Sequence, residues 1–539
     1  MAHQHKSDAE IIQSTHNTAR FFTEHRQVGL VLLIATFIWG FYGYLSMPKR
    51  KDPNIPVRVA AAQCRWPGAT AEQVEQLVTR PIEQAVAGNS TIKPPSPSDY
   101  GIRSLSFAGL SVVYVQLDDN VSDKKKQFSD INLKLNQLNA QLPQGAGPIQ
   151  FNSDFGDTAA MMLTVASPRA SSTDIALRAL SIRKAIERIR SQQSNKAPQP
   201  RVSVVYCFPL SVAVDIVRQS FQLIADVGEQ NKVFRDAHLF EGPGFIGLDM
   251  STALDDQALR TFGARLLQER LHQSEIHPDA WQPAFIRNPA DTEARLADVA
   301  GEKYSYRELD DFTDLIQRSL QGVPQVSKVD RSGVLPEQVF LIYSQQRLAQ
   351  YGYVPSNLKD ILAAQNITLP AGTIEVGTKN VLVNPSGLFP DARSIGNVII
   401  GVSSSNSPVY LRDLVDISRG YQSPPTYLNY LTWRDADGRW NRSRAVTVSA
   451  NMRDGEQIDA FGKGIDKKLA DIRPYLPDDL RIVRTSDQPV QVKENVSLFM
   501  DALYEAIGLV VLVSLVGFWE WRSALLMASA IPITLAMIF

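Results

Sequence analysis

Two long apolar runs, Val28–Ser46 and Leu498–Phe518, are held about 450 residues apart by a chain of ordinary mixed composition. Val28–Ser46 has 19 residues and no charge. At about 1.5 Å per residue it reaches roughly 28 Å, close to the hydrocarbon thickness of a bilayer. A secretory signal has a shorter apolar core and a small-residue cleavage site, whereas this run leads into Met47, Pro48, Lys49, Arg50 and Lys51. It is therefore expected to be an uncleaved membrane span, with Trp39, Tyr42 and Tyr44 towards an interface. The second run turns at Trp519, Glu520, Trp521 and Arg522 into a further apolar segment from Ser523 to Phe539. A turn this short predicts an antiparallel helical hairpin in the membrane. The last segment stops without a capping residue or a polar tail, so the sequence is expected to be part of a longer membrane protein, with 523–539 the start of a third span.

The region between the spans is long enough for several cores, since the 539-residue chain corresponds to about three or four folding units. Lys+Arg 55 against Asp+Glu 56 gives a net charge of -1, which lacks the basic field that nucleic-acid binding requires. Cys64 and Cys207 are the only cysteines, too few for a disulfide framework or a four-thiolate metal site. The seven histidines fall in the N-terminal tail (His3, His5, His16, His25) or within 168–303 (His238, His272, His277). Histidine catalysis is thereby excluded from the rest of the loop. His272 and His277 lack a nearby thiol, and a zinc site is not expected there. No nucleophile elbow, Walker loop or dinucleotide fingerprint is present, so neither an ATP-driven pump nor an enzyme is indicated.

Periodicity divides the loop into α+β units. Val57–Cys64 reads as a strand, and Thr70 with Gln73 opens a helix over Ala71–Ala87 through a capping box. Ile102–Leu117 reads as a hairpin broken at Ala108 and Gly109. Over Asp123–Leu142, Phe128, Ile131, Leu135, Leu138 and Leu142 share one helical face. Met161–Val165 is expected to complete this split βαβ unit. A similar order recurs as strand Ala445–Asn451, helix Glu456–Ile472 and strand Leu480–Arg484. Residues 334–420 read as short strands with a helix over Ser356–Gln365. Residues 168–303 read as an insertion with helices Ser172–Arg190 and Ser211–Val227 and a loop-rich stretch at Gly242–Gly247.

Three stretches resemble one family. WPGATAEQVEQLVTRPIEQAVAG (66–88) is similar to the opening of the first porter module in resistance-nodulation-division (RND) efflux permeases. GVPQVSKV (322–329), RLAQYGYVPSNLKDILAAQNITLPAG (347–372) and PVYLRDLVDISRGY (408–421) resemble its docking region. EAIGLVVLVSLVGFWEWRSALLMASAIPITL (505–535) resembles its second span, the turn after it and the start of the third. The resemblance implies an α+β membrane protein: transmembrane helices plus a large periplasmic loop of ferredoxin-like βαββαβ porter modules and a docking subdomain. It divides the chain into a cytoplasmic segment 1–27, a span 28–46 and porter module 1 at 47–158. Porter module 2 begins at 159–333, with the insertion 168–303, and resumes at 421–497 after the docking subdomain 334–420. Spans follow at 498–518 and from 523. It further implies the N-terminal half of a trimeric, proton-driven inner-membrane exporter of amphiphilic compounds, working with a periplasmic adaptor and an outer-membrane channel. No cofactor beyond the proton gradient is implied. The relay carboxylates of the family lie in later spans, so residues 1–539 alone are not expected to transport. Residues 373–383 allow only a short hairpin where drug-exporting members carry a long interprotomer arm.

Candidate substrate contacts are Met161 and Met162, whose thioethers suit promiscuous apolar ligands, and Tyr421, Gln422 and Tyr427 (with Pro425 beside them), where the chain re-enters the porter. Strand alternation sends the two methionines to opposite faces, so at most one lines a pocket and core packing competes for the other. A plain linker competes for the tyrosine segment. Asp501 and Glu505, four apart near the end of the second span, are candidates for a proton relay against a simple interfacial placement. Lys124, Lys125 and Lys126 read as a solvated helix start. Heavy-metal or lipid export is the sister function, and a membrane-anchored periplasmic receptor is the alternative from another class.

Overall fold

The computed structural model describes residues 21–22, 25–47, 57–153, 158–192, 200–271, 275–365, 373–376, 379–382, 389, 392–402, 407–422, 425, 427–435 and 437–538. Most of the N-terminal segment, His272 and the turn of the 373–383 hairpin lie outside these. The chain forms two units, 1–160 with 451–461 and 488–539, and 161–450 with 462–487.

In the first unit three helices are long and apolar enough to cross a membrane: Arg26–Ser46, Gln488–Gly517 and Trp521–Ile538. The second helix starts ten residues before the apolar run, at Gln488, and continues to Phe518. Trp519, at φ 50°, makes the left-handed turn into the third. Gly40 is buried against the Ala536 backbone, a small-residue contact of the kind that lets apolar helices approach closely.

The same unit holds a βαββαβ module. Strand β1 (Val59–Arg65) leads to α1 (Ala71–Val74), whose Thr70–Gln73 capping box forms as the sequence requires. A π-helical turn, Glu75–Thr79, joins it to α2 (Arg80–Ala87), where Pro81 cannot donate a backbone hydrogen bond. Then come β2 (Ile102–Phe107), β3 (Leu110–Gln116), α3 (Lys124–Leu138) and β4 (Gln150–Asn152). The sheet order β2-β3-β1-β4, with antiparallel neighbours throughout, is the ferredoxin-like arrangement. Phe128, Ile131 and Leu135 of α3 pack with Val78, Ile82 and Val86 over the inner faces of β1 and β3. The fourth strand is Gln150–Asn152, pairing with Ala61–Gln63, and this corrects the assignment of Met161–Val165. The Met161 strand is flanked on both sides in the other unit and is buried at nearly every position. A central strand of that kind offers no alternation by which to choose its sheet.

That other unit begins with β5 (Met161–Ala166), and the chain then leaves for the insertion. The 168–303 segment is more ordered than its sequence suggests. It contains α4 (Ser172–Gln192), β6 (Arg201–Cys207), α5 (Asp215–Gln230), β7 (Arg235–Gly242), β8 (Phe245–Ser251), α6 (Asp256–Leu266), β9 (Ala284–Ile286) and α7 (Thr292–Asp298). From β6 to β9 this is another βαββαβ unit, with the order β7-β8-β6-β9. Phe221 of α5 and Phe262 of α6 cover one face of the sheet. Ile182 and Ile186 of α4, with Leu296 of α7, cover the other. The stretch around Gly242–Gly247, expected to be loop-rich, is the β7–β8 hairpin. Strand β8 is buried at every residue because helices cover both faces. Buried Asp249 is held by Arg190 at 3.0 Å, Arg201 at 2.7 Å and Ser203 at 2.6 Å. Gly228 of α5 lies directly against the Phe234 ring. Gly228→Ala is therefore expected to overpack this core and cost about 1–3 kcal/mol, read as a lower thermal unfolding midpoint.

The chain returns beside its point of departure. The Ala170 N–H donates to the Gly301 carbonyl at 3.0 Å, and the Lys303 N–H to the Pro168 carbonyl at 2.9 Å. It continues through α8 (Tyr306–Gln321), opened by a Ser305–Glu308 capping box, and β10 (Val326–Ser332). Next is β11 (Glu337–Tyr343), then helices α9 (Gln345–Tyr351) and α10 (Pro355–Gln365) and the two-stranded pairs β12 (Thr373–Val376) with β13 (Lys379–Leu382) and β14 (Ile399–Val402) with β15 (Pro408–Tyr410). Strand β16 (Val415–Tyr421) returns antiparallel to β11. Leu348, Leu358, Val409, Leu411 and Leu414 form a small core there. Finally β17 (Asn429–Arg434), β18 (Trp440–Met452), α11 (Ile458–Ile472) and β19 (Arg481–Asp487) close the module that β5 opened. Its sheet order is β10-β18-β5-β19, the same topology with two interruptions. The crossover helix is α8, while α4 belongs to the insertion.

Candidate functional site

The proposed substrate residues occupy different surroundings. Met161 and Met162 lie opposite Ala450 and Ser449 of β18. Met161 is fully buried, and Met162 is half-buried on the other face of β5. Tyr421 ends β16 opposite Glu337, in a buried group with Tyr306 and Leu335. The Gln422 backbone N–H donates to the Pro336 carbonyl at 2.9 Å, and Tyr427 is 57% exposed. Asp501 and Glu505 are exposed on the second apolar helix. Lys124, Lys125 and Phe128 border an open cleft of ~230 Å³. The N-terminus of α3 there is already served by the Asp123 carboxylate, which accepts from the Lys126 N–H at 3.0 Å.

The densest buried chemistry lies where the insertion meets α8, β16 and β18. Arg444 of β18, 4% exposed, donates through Nη1 to Asp279 and through Nη2 to Glu302 Oε2 at 3.1 Å. Both acids come from the insertion. The guanidinium also stands over the Tyr306 ring, 4.7 Å from its centroid. Burial works against the Arg444 charge, but the two carboxylates outweigh it and raise its pKa. Burial likewise opposes the Glu302 charge, and Arg444 reverses that effect, holding the Glu302 carboxyl below its ordinary range. Asp279 Oδ1 also accepts the Tyr306 backbone N–H at 3.0 Å.

Around this pair the aromatic rings interlock. His277 packs on Phe208 and Tyr421 with centroid separations of 5.9 and 5.5 Å, and Tyr306 meets Tyr421 edge-on at 6.0 Å. The Tyr421 hydroxyl accepts the Arg307 N–H at 3.2 Å, and burial raises its pKa, with Asp279 adding to the effect. A cavity of ~50 Å³ opens beside His277, Ser305 and Tyr421. Glu337 at its rim pairs with Arg419 at 2.8 Å and Arg307 at 3.8 Å. Such a volume has room for water-sized occupants and not for an amphiphile. The junction is thus a polar interlock among three parts of the unit. Among the described residues, no group of three His, Cys, Asp or Glu side chains is placed to hold a metal ion.

Sequence reasoning selected Tyr421 and missed Asp279, Glu302, Tyr306 and Arg444. One signal was available: Arg444 directly precedes the apolar-rich run Ala445–Val448, and a cation entering a buried strand demands an anion from elsewhere.

A sequence model described as the AcrB/AcrD/AcrF family matches residues 18–191 and 256–539. The break between them falls inside the insertion. The cobalt-zinc-cadmium resistance protein CzcA of Cupriavidus metallidurans is 28% identical over 251 residues, 46% of this chain and 22% of that protein. The cation efflux system protein CusA of Escherichia coli K12 is 25% identical over 267 residues, 49% of this chain and 24% of its own length. The multidrug export protein AcrF of the same strain is 25% identical over 195 residues, 35% of this chain and 18% of its own length. The matched part of the chain therefore spans less than a quarter of each relative.

Proposed function

The chain belongs to the AcrB/AcrD/AcrF family, a family of RND transport proteins, and on that premise we propose that it forms part of an inner-membrane permease that exports amphiphilic compounds at the expense of a proton gradient. The observation that carries this reading is the joint one of three apolar helices and a large α+β region, matched by one family over most of the chain. In it, the two βαββαβ modules outside the insertion serve as periplasmic porter modules, and the β11–β16 region as the docking subdomain. The working assembly is a homotrimer with a periplasmic adaptor and an outer-membrane channel.

Export of metal cations is the second reading, favoured by the names of CzcA and CusA. The methionines argue against a soft-metal route through this region. Met161, Met250 and Met452 are buried in the protein core, and half-buried Met162 lies on the opposite face of β5 from Met161, whereas a soft-metal site gathers several sulfur ligands on one side. The test is to express the intact gene in an efflux-deficient host and compare tolerance to a size-graded amphiphile panel with tolerance to zinc, cobalt, cadmium, copper and silver salts. Protection against the salts alone would overturn the amphiphile reading.

The two methionines provide a residue-level prediction. Met162→Trp is expected to lower export of the largest amphiphiles while sparing the small ones, at unchanged protein abundance. Met161→Trp is expected to overpack the sheet, cost about 1–3 kcal/mol and lower abundance and all substrates together. Equal shifts for every compound in the Met162 variant would remove it from the pocket.

A further inference from the structure

Asp279 Oδ2 is the single buried side-chain oxygen or nitrogen without a hydrogen-bond partner among the described residues. It lies 4.0 Å from His277 Nδ1. That same nitrogen accepts the Asp279 backbone N–H at 3.1 Å, so the neutral ring carries its proton on Nε2. A second proton on Nδ1 would meet another N–H. The ring can accept it only by giving up that bond and turning towards Oδ2.

The charges around the ring make this a choice between two states. Glu275 and Asp279 lie on its own segment. From α8 come Tyr306, Arg307 and Glu308, from β16 Arg419 and Tyr421, from β11 Glu337, and from β18 Arg444 with Glu302 behind it. Glu337 engages Arg307 and Arg419, and Glu308 is taken up by Ser211 and Ser305. At the centre one cation, Arg444, therefore faces two carboxylates, Asp279 and Glu302. The unsatisfied oxygen of this excess negative charge is the one nearest the imidazole. Because the ring is wedged between Phe208 and Tyr421, turning it disturbs the Tyr421 hydroxyl that accepts the Arg307 N–H.

We infer that His277 is a proton-sensitive pin, which in its neutral form locks the inserted module to α8 and β16 and on protonation loosens that junction. Burial holds the imidazole below its ordinary range, although Asp279 pulls the other way. The closed form thus binds the proton more weakly than an opened one. Closure is at full strength above the ordinary histidine value of about 6.5 and weakens as pH falls below it. Since α8 is the crossover helix of the split module and β16 the strand leading back to it, the pin would make their coupling to the insertion depend on pH.

Hydrogen–deuterium exchange of the full-length protein in lipid nanodiscs tests this, at about pH 7.5 and about pH 5.5 to bracket a histidine, corrected for the intrinsic pH dependence of exchange. Segments 277–281, 304–309 and 417–422 are expected to lose up to about tenfold of their protection on acidification, the most that a single histidine can supply over this interval, while 246–250 of β8 keeps its own. His277→Gln and His277→Phe, neither of which can take up the proton, are expected to hold the junction protected at both pH values. The idea fails if wild-type protection is unchanged, or if β8 opens to the same extent, which would be general acid unfolding. It fails equally if both variants keep the wild-type response or stand open at both pH values.

Discussion

Arg444→Met is expected to destabilise the protein by about 3–5 kcal/mol, the typical cost of breaking a buried ion pair from one side. The arginine is 4% exposed and Asp279 is 0% exposed, so its removal leaves a carboxylate enclosed by Tyr306, Tyr421 and His277 with no cation to face. For the 539-residue chain the loss corresponds to a fall of roughly 3–4 °C in unfolding midpoint, measurable by differential scanning fluorimetry on purified protein. Arg444→Lys should recover only part of it, because an ammonium cannot reach both carboxylates with a planar fork. Combining Arg444→Met with Asp279→Asn and Glu302→Gln should recover most of it, because the buried charges are then gone together and the side-chain amide oxygen introduced at position 279 would still accept the Tyr306 N–H. If the single variant melted with the wild type, the pair would not hold the junction.

Removing the whole of 168–303 should, by contrast, leave a folded and membrane-inserted protein. The insertion closes its own two core layers, and the chain enters and leaves it through adjacent residues, so a short Gly/Ser linker can bridge the ends. Asp279 and Glu302 depart with it, and Arg444 is expected to become solvated and no longer an unpaired buried charge. In that background Arg444→Met should cost less than about 1 kcal/mol, the scale of surface substitutions. The difference from the intact protein is a coupling energy of several kcal/mol between Arg444 and the insertion, far above the few tenths by which independent sites depart from additivity. Degradation of the excised protein would show that the insertion is needed for the split module to fold.

The sequence made some elements plain for local reasons. The Thr70–Gln73 capping box, the Phe128–Ile131–Leu135 face and the Ala108–Gly109 break are each decided by residues within one or two turns of chain, and each stands where periodicity put it. Strands β6 and β8 were not legible for a physical reason as well. Helices cover both of their faces, so apolar residues do not alternate, and a short apolar run without alternation carries no strand signature. The assignment of Met161–Val165 to the first module failed because strand pairing depends on partners nearly three hundred residues away, Ala445–Ala450.

The candidate site divides along the same line. Composition and periodicity alone determined that this chain has helices able to cross a membrane and that α+β units lie between them. Hydropathy and charge are sums over neighbours, and neighbours are what a sequence records. Only the tertiary structure decided that Met161 is sealed in a sheet while Met162 is not, that 168–303 is a complete module, and that Arg444 meets Asp279 and Glu302 across more than 140 positions. Burial and ion pairing are properties of what lies nearby in space, and the desolvation that makes a buried charge need its partner exists only once the chain has closed around it.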